Sequence, residues 1–107
     1  MNSELEMVIM NLIVDAGSAR SYAMEAISLA KEGNMGGAEE ALKNADAEMA
    51  KAHLVQTDLI QNEAKGNHTE INLFMVHAQD HIMTAILAKD LAREFVDMYK
   101  AFLELRA

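Results

Sequence analysis

Two glycine-centred breaks in an otherwise proline-free chain do most to limit what it can fold into. None of the 107 residues is proline, and four of the five glycines lie in Gly33-Asn34-Met35-Gly36-Gly37 and Lys65-Gly66-Asn67-His68-Thr69. Nine methionines, many alanines and few aromatic or β-branched residues favour helix between the breaks. Three helices of roughly 30 residues, each ~45 Å long and joined by short turns, fit an antiparallel, up-down-up three-helix bundle. No linker or low-complexity stretch divides the chain, so residues 1–107 are expected to form one all-α domain.

The first helix is expected to start at Ser3, with Glu6 completing a capping box. Its inner stripe is Leu5, Val8, Leu12, Ile13, Ala16, Ala19, Ala23, Ile27 and Ala30. Gly17, Ser18, Ala19, Ser21 and Ala23 make its middle small-sided, which suits close helix packing or leaves room for a reacting group on another helix. Lys31 and Gly33 suit a helix C-terminus and its left-handed cap. Residues 30–45 faintly resemble one tetratricopeptide unit, but no second copy follows at the right period.

The second helix is expected from about Gly37 to Lys65, with Ala38, Ala41, Leu42, Ala45, Met49, Ala52, Leu59 and Ile60 inside. Gln56 falls in that stripe, either as a satisfied core amide or as an amide facing the histidines of the third helix. His53 lies beside the stripe without a spaced partner, and His68 lies in a turn; both read as inert. Asn67 with Glu70, or Thr69 alone, can cap the third helix.

That helix carries the chemistry. His77, Asp80, His81 and Thr84 stand at i, i+3, i+4 and i+7, on one face. The stripe continues through Leu87, Leu91, Phe95 and Met98, so the quartet is expected on a seam that is elsewhere buried. Lys89, Asp90, Arg93, Glu94, Asp97, Lys100 and Glu104 mark a solvated opposite side. Carried backwards, that side meets Met75, Gln79, Ile82, Met83 and Ile86, and Asp80 is the only formal charge from Ile71 to Ala88. A helix apolar all round needs cover all round, more than two neighbours in one small chain supply. An oligomer is expected, with Met75, Ile82 and Ile86 forming a docking rim or a contact between copies.

Composition narrows the partners. The formal net charge is −8 and nothing basic is clustered, which argues against nucleic acid and for a basic protein partner. The absence of cysteine removes thiolate chemistry and fits a reducing cytoplasm. No apolar run approaches the ~20 residues of a membrane span, and Met1-Asn2-Ser3-Glu4 has no basic signal region.

Histidine is the side chain whose ordinary pKa lies near neutrality, and its neutral ring is both nucleophile and ligand. Three chemistries fit His77-x-x-Asp80-His81. The two imidazoles can chelate Zn²⁺ with Asp80 as a third ligand, although Ala78 and Gln79 rule out the H-E-x-x-H protease pattern. One imidazole can accept and pass on a phosphoryl group. Or the quartet is a buried polar network that fixes helix register.

The string Val76-His77-Ala78-Gln79-Asp80-His81-Ile82-Met83-Thr84 resembles the signature of lactose/cellobiose-type enzyme IIA components of the bacterial sugar phosphotransferase system. Ala52-His53-Leu54-Val55-Gln56-Thr57-Asp58-Leu59-Ile60 and Ile13-Val14-Asp15-Ala16-Gly17-Ser18-Ala19-Arg20-Ser21 extend the resemblance over essentially the whole chain. The resemblance implies a cytoplasmic homotrimer of three-helix protomers that acts as a phosphohistidine carrier rather than a stand-alone turnover enzyme. His77 is then the acceptor of phosphate from the phosphocarrier HPr and passes it to a IIB component. The ending at Ala107 implies a IIB on a separate chain. Asp80 is implied to face the trimer axis, where Mg²⁺ or another divalent cation is expected and no organic cofactor. His81, Gln56 and Gln79 are candidates to orient the ring or receive the phosphate. The alternative is a structural or regulatory helical oligomer with a metal-binding histidine face.

Overall fold

The structure is a computed structural model and describes residues 3–106. It comprises α1 (Ser3–Lys31), α2 (Met35–Ala64) and α3 (Leu73–Arg106), and no strand occurs among the described residues. The body measures 57 × 23 × 19 Å, about one helix long and two wide. One core cluster joins Ile9 and Leu12 of α1 to Met49 and Ala52 of α2 and to Met75, Ala78 and Ile82 of α3. The other joins Ala23, Ala26 and Ala30 to Ala38 and Ala41 and to Ala92 and Val96. The start of α1 therefore meets the end of α2 and the start of α3, as the up-down-up arrangement requires. Among the described residues no helix is long and apolar enough to cross a membrane.

Both turns close on the same device. Gly33 and Gly66 have φ of 87° and 90°, the left-handed region where a side chain is strained. Around them Gly33 N–H donates to the Ala30 carbonyl and Asn34 N–H to that of Leu29, while Gly66 and Asn67 repeat the pattern on Glu63 and Asn62. These are paired Schellman bonds, which satisfy carbonyls the helix end would otherwise leave open.

The helix starts differ from the sequence expectation because asparagine side chains set them. Asn34 Oδ1 accepts from Gly37 N–H at 2.9 Å, so α2 begins at Met35, two residues before the expected Gly37. A Cβ on Gly37 would lie 2.7 Å from Asn34 Nδ2, so a side chain there would displace the capping amide. Asn72 Oδ1 accepts from Met75 N–H at 3.0 Å, and α3 begins at Leu73 rather than beside Asn67 or Thr69. Residues 67–72 form a non-helical connection instead.

The core is built largely of alanine, and among the described residues the largest fully buried side chains are Ile9, Leu12, Ile82 and Val96. Ile9 joins it although the sequence stripe omitted it, and Ile60 is 60% exposed although the stripe included it.

The faces of α3 are the main correction. Met75 and Ile82 are buried and Ile86 packs partly against the same cluster, so these three form the inner face and no docking rim. Leu87, Leu91, Phe95 and Met98, expected inside, are the exposed ones. Burial of Met75, Ile82, Ala92 and Val96 sets the rotation, and ion pairs to α2 accompany it. Lys89 reaches Asp46 of α2 at 3.2 Å, and Arg93 pairs with Glu39 through two bonds of 2.8 and 3.0 Å. Basic residues read as solvated thus bridge across to α2, and their side of the helix turns inward.

Two predictions follow from this packing. Ile82→Glu places an unpaired charge in the core and should unfold the chain or cost about 3–5 kcal/mol, read by urea denaturation. The Arg93 guanidinium bonded to Glu39 holds that carboxyl below its ordinary range, against a smaller opposing effect of burial. A depressed carboxyl stabilises the fold above its unfolded pKa and loses that contribution as pH falls through the folded one. Both partners are partly exposed, with side chains 43% and 46% accessible. Glu39→Gln should therefore cost no more than about 1 kcal/mol at neutral pH. Denaturation below the ordinary carboxylate range should show wild type and variant converging.

Candidate functional site

The site is set by the second turn of α3. Asn72 fixes where the helix begins, and that fixes which face each later residue takes. His77 stands exposed and His81 half-buried, one turn apart, with Asp80 exposed between them. The two Nε2 atoms are 3.0 Å apart, the ring centroids 4.4 Å apart and the planes at 87°. Only one proton fits between two such nitrogens, so one Nε2–H donates and the other Nε2 accepts. The pair thus presents one unprotonated ring nitrogen beside one N–H donor at a solvent-accessible point. That is the requirement for a histidine nucleophile with a held partner.

The rest of the expected constellation separates. Thr84 Oγ1 donates to the backbone carbonyls of Asp80 at 2.9 Å and His81 at 3.2 Å, and so reaches neither ring. Short hydroxyl side chains within helices favour that back-bond. Gln56 is buried, as its place in the stripe implied. Its Nε2 donates to Gln79 Oε1 at 2.9 Å, and Gln79 Nε2 in turn lies 3.8 Å from Met75 Sδ. Two residues along a helix turns a side chain by roughly 200°, so Gln79 points away from the His77 face into the α2–α3 seam. The amides bond to one another, not to the imidazoles. Asp80 has no acidic or histidine cluster around it: among the described residues no three His, Cys, Asp or Glu side chains converge. His68 pairs with Glu63 at the turn, away from the site.

The apolar surroundings of His77 are not those expected from the sequence. Phe74, one turn before it, is exposed and lines a hollow with Met10, Ile9 and Glu6 of α1. Below the histidines, Leu87, Leu91, Phe95, Met98 and Phe102 continue the same face unpartnered. Phe74 carried a usable signal, since it lies three residues before His77. Met10 did not, because only the approach of α1 to α3 brings it there.

Residues 7–100 match the family described as the lactose/cellobiose-specific IIA subunit of the sugar phosphotransferase system. The chain belongs to that family. It is 49% identical over 106 residues to the lichenan-specific phosphotransferase enzyme IIA component of Bacillus subtilis (strain 168), covering 99% of this chain and 96% of that protein. The crystal structure of a cellobiose-specific enzyme IIA from Bacillus anthracis superposes with a TM-score of 0.92 at 48% identity, covering 100% of this chain and 97% of that one. A diacetylchitobiose-branch IIA of Escherichia coli, solved in solution as a complex with HPr, superposes at 0.79 with 38% identity, covering 99% and 100%. The IIA resemblance read from the V-H-A-Q-D-H string is thus established over nearly the full chain.

Stability separates the two kinds of polar residue on this helix pair. Gln56→Ala removes a buried amide and should cost about 1–3 kcal/mol. His77→Ala, at an exposed position, should change stability by about 0.5 kcal/mol or less. Urea denaturation of both variants reads the contrast.

Proposed function

We propose that the chain is a phosphoryl carrier that takes phosphate from HPr onto His77 and passes it to a IIB component. The observation that carries this reading is the accessible Nε2–Nε2 pair of His77 and His81. Two further facts support it: membership of the IIA family, and the relative solved in complex with HPr. A neutral His77 with Nε2 unprotonated accepts the hydrogen bond of His81 Nε2–H. On transfer the P–N bond on HPr breaks as a P–N bond to His77 forms, and the leaving imidazole keeps the lone pair. The His81 N–H then turns from the His77 lone pair to a phosphoryl oxygen, so the same donor serves before and after. On transfer to IIB the P–N bond to His77 breaks as a bond from phosphorus to the IIB acceptor forms, and His77 Nε2 keeps the lone pair. In the exchange with HPr one P–N bond replaces another, so that step is near balance and runs in either direction. Gln56 and Gln79 hold the inner seam behind the reacting face.

The assembly follows from the exposed stripe. Leu87, Leu91, Phe95, Met98 and Phe102 form a continuous apolar face larger than a lone surface residue accounts for. Three copies packed through it give a homotrimer with Asp80 on the same face. Within a single chain no second carboxylate converges on Asp80 among the described residues, so one chain lacks the oxygen ligands a hard cation needs. Three Asp80 carboxylates would supply the oxygen ligands that Mg²⁺ prefers and would need its charge. The docking rim for HPr is Phe74 and Met10 beside His77, and the acidic chain suits a basic carrier. The carrier works in the cytoplasm. The relatives' names differ in saccharide although the family is shared, which fits a carrier that handles only the phosphoryl group.

Labelling from phosphorylated HPr tests the acceptor. His77→Gln should keep the helical spectrum and take no label, whereas His81→Gln should label slowly. Reversed behaviour would exchange the two roles, and normal labelling of both would move the acceptor to His53 or His68. Sedimentation equilibrium tests the assembly: wild type should run at three times 11.8 kDa, and Phe95→Glu as a single chain.

A further inference from the structure

We propose that His77 and His81 also form a chelate for a divalent ion of the Cu²⁺, Ni²⁺ or Zn²⁺ class, and that the bound ion silences the phosphoryl acceptor. The silencing rests on the carrier reading above, whereas the binding does not. The Nε2 atoms are already 3.0 Å apart with their rings nearly perpendicular. An ion bonded at about 2.0–2.1 Å to both nitrogens needs them about 3 Å apart at a right angle and about 3.4 Å apart at a tetrahedral one. A shift of a few tenths of an ångström, with the rings turned until both lone pairs converge on one point, therefore converts an N–H···N contact into N–metal–N. The proton balance is simple. In the neutral pair the Nε2 proton of His81 moves to its Nδ1 through water, which leaves a lone pair on each Nε2. A pair carrying an extra proton releases that proton when the ion binds.

Both ligands stand on adjacent turns of one long helix, so the chelate exists only while α3 is folded. The solvent side of the pair is open, which leaves the remaining coordination positions to water. Asp80 adds no third ligand from within the chain. Two imidazoles without oxygen ligands select Cu²⁺, Ni²⁺ and Zn²⁺ and discriminate against Mg²⁺. This site is therefore distinct in both position and preference from a magnesium ion held by Asp80 carboxylates. Ion and phosphoryl group compete for the same lone pair on His77. The ion also occupies His81 Nε2, whose proton has moved to Nδ1, so the donor that would face the phosphoryl group is lost.

Thermal melting and single-turnover transfer from preformed phosphorylated HPr test the two halves separately. The full chain is used with CuCl₂, NiCl₂, ZnCl₂ and MgCl₂ as probes. Melting should shift upward with Cu²⁺ most and with Ni²⁺ and Zn²⁺ less, and Mg²⁺ should not mimic them in Asp80→Asn. The Zn²⁺ shift should vanish in His77→Gln and in His81→Gln. A shift that survives in either variant, or none in wild type, overturns the chelate. Zinc at ten times its dissociation constant should slow transfer to wild type about tenfold. In His81→Gln, compared with its own metal-free rate, the same zinc should have no such effect. Unchanged transfer to zinc-loaded wild type overturns the silencing. Zinc binding that needs both histidines, in a chain that takes no label from HPr at all, supports the chelate and removes the carrier reading.

Discussion

Close approach along the alanine seam of α1 is the constraint on which the rest depends. Ala16, Ala19, Ala23, Ala26 and Ala30 are all buried and present almost no side chain, which lets α2 and α3 pack closely against α1. Small residues make such contact inexpensive in side-chain entropy, but each removes little apolar area from water. The bundle is consequently thin and leaves many of its larger apolar side chains exposed. Leu87, Leu91, Phe95 and Met98 remain outside because the inside has no depth for them. The unpartnered stripe on α3 is thus a direct result of how α1 is built.

The rotation of α3 is then fixed by what it must present to α2. Ile82 and Met75 fill the one deep part of the core, and Gln56 with Gln79 supplies a hydrogen-bonded amide pair behind them. Arg93 on Glu39 and Lys89 on Asp46 hold the distal half. With those contacts inward, His77 and His81 necessarily face outward at the top of the apolar stripe. Accessibility of the imidazoles follows from packing elsewhere on the helix.

Much of this was legible in the sequence. The proline-free stretches and two glycine breaks yielded three helices in the observed order, and the i, i+4 spacing placed both histidines on one face. Gln56 was legible as buried because it interrupts a regular stripe. What failed has a common cause. Lys89 and Arg93 read as solvated because charge alone does not reveal a partner on another helix, Glu39 lying 54 positions before Arg93. Reading them so turned α3 over and put Ile82 outside. Thr84 and Gln79 failed for local reasons: a hydroxyl that bonds its own backbone, and a position two residues round the helix from His77. The early start of α2 and the late start of α3 were missed because Asn34 and Asn72 cap through geometry that two candidate turns shared equally.

The first turn of α3 opens without an acidic residue, and His77 follows it by one turn. His77 therefore stands close to a helix end whose amides leave a partial positive charge. An anion carried there is attracted towards that end of the helix, so the charge on the ring and the order of the helix start are linked. The load on a single ring thereby becomes a difference in how firmly a whole helix begins.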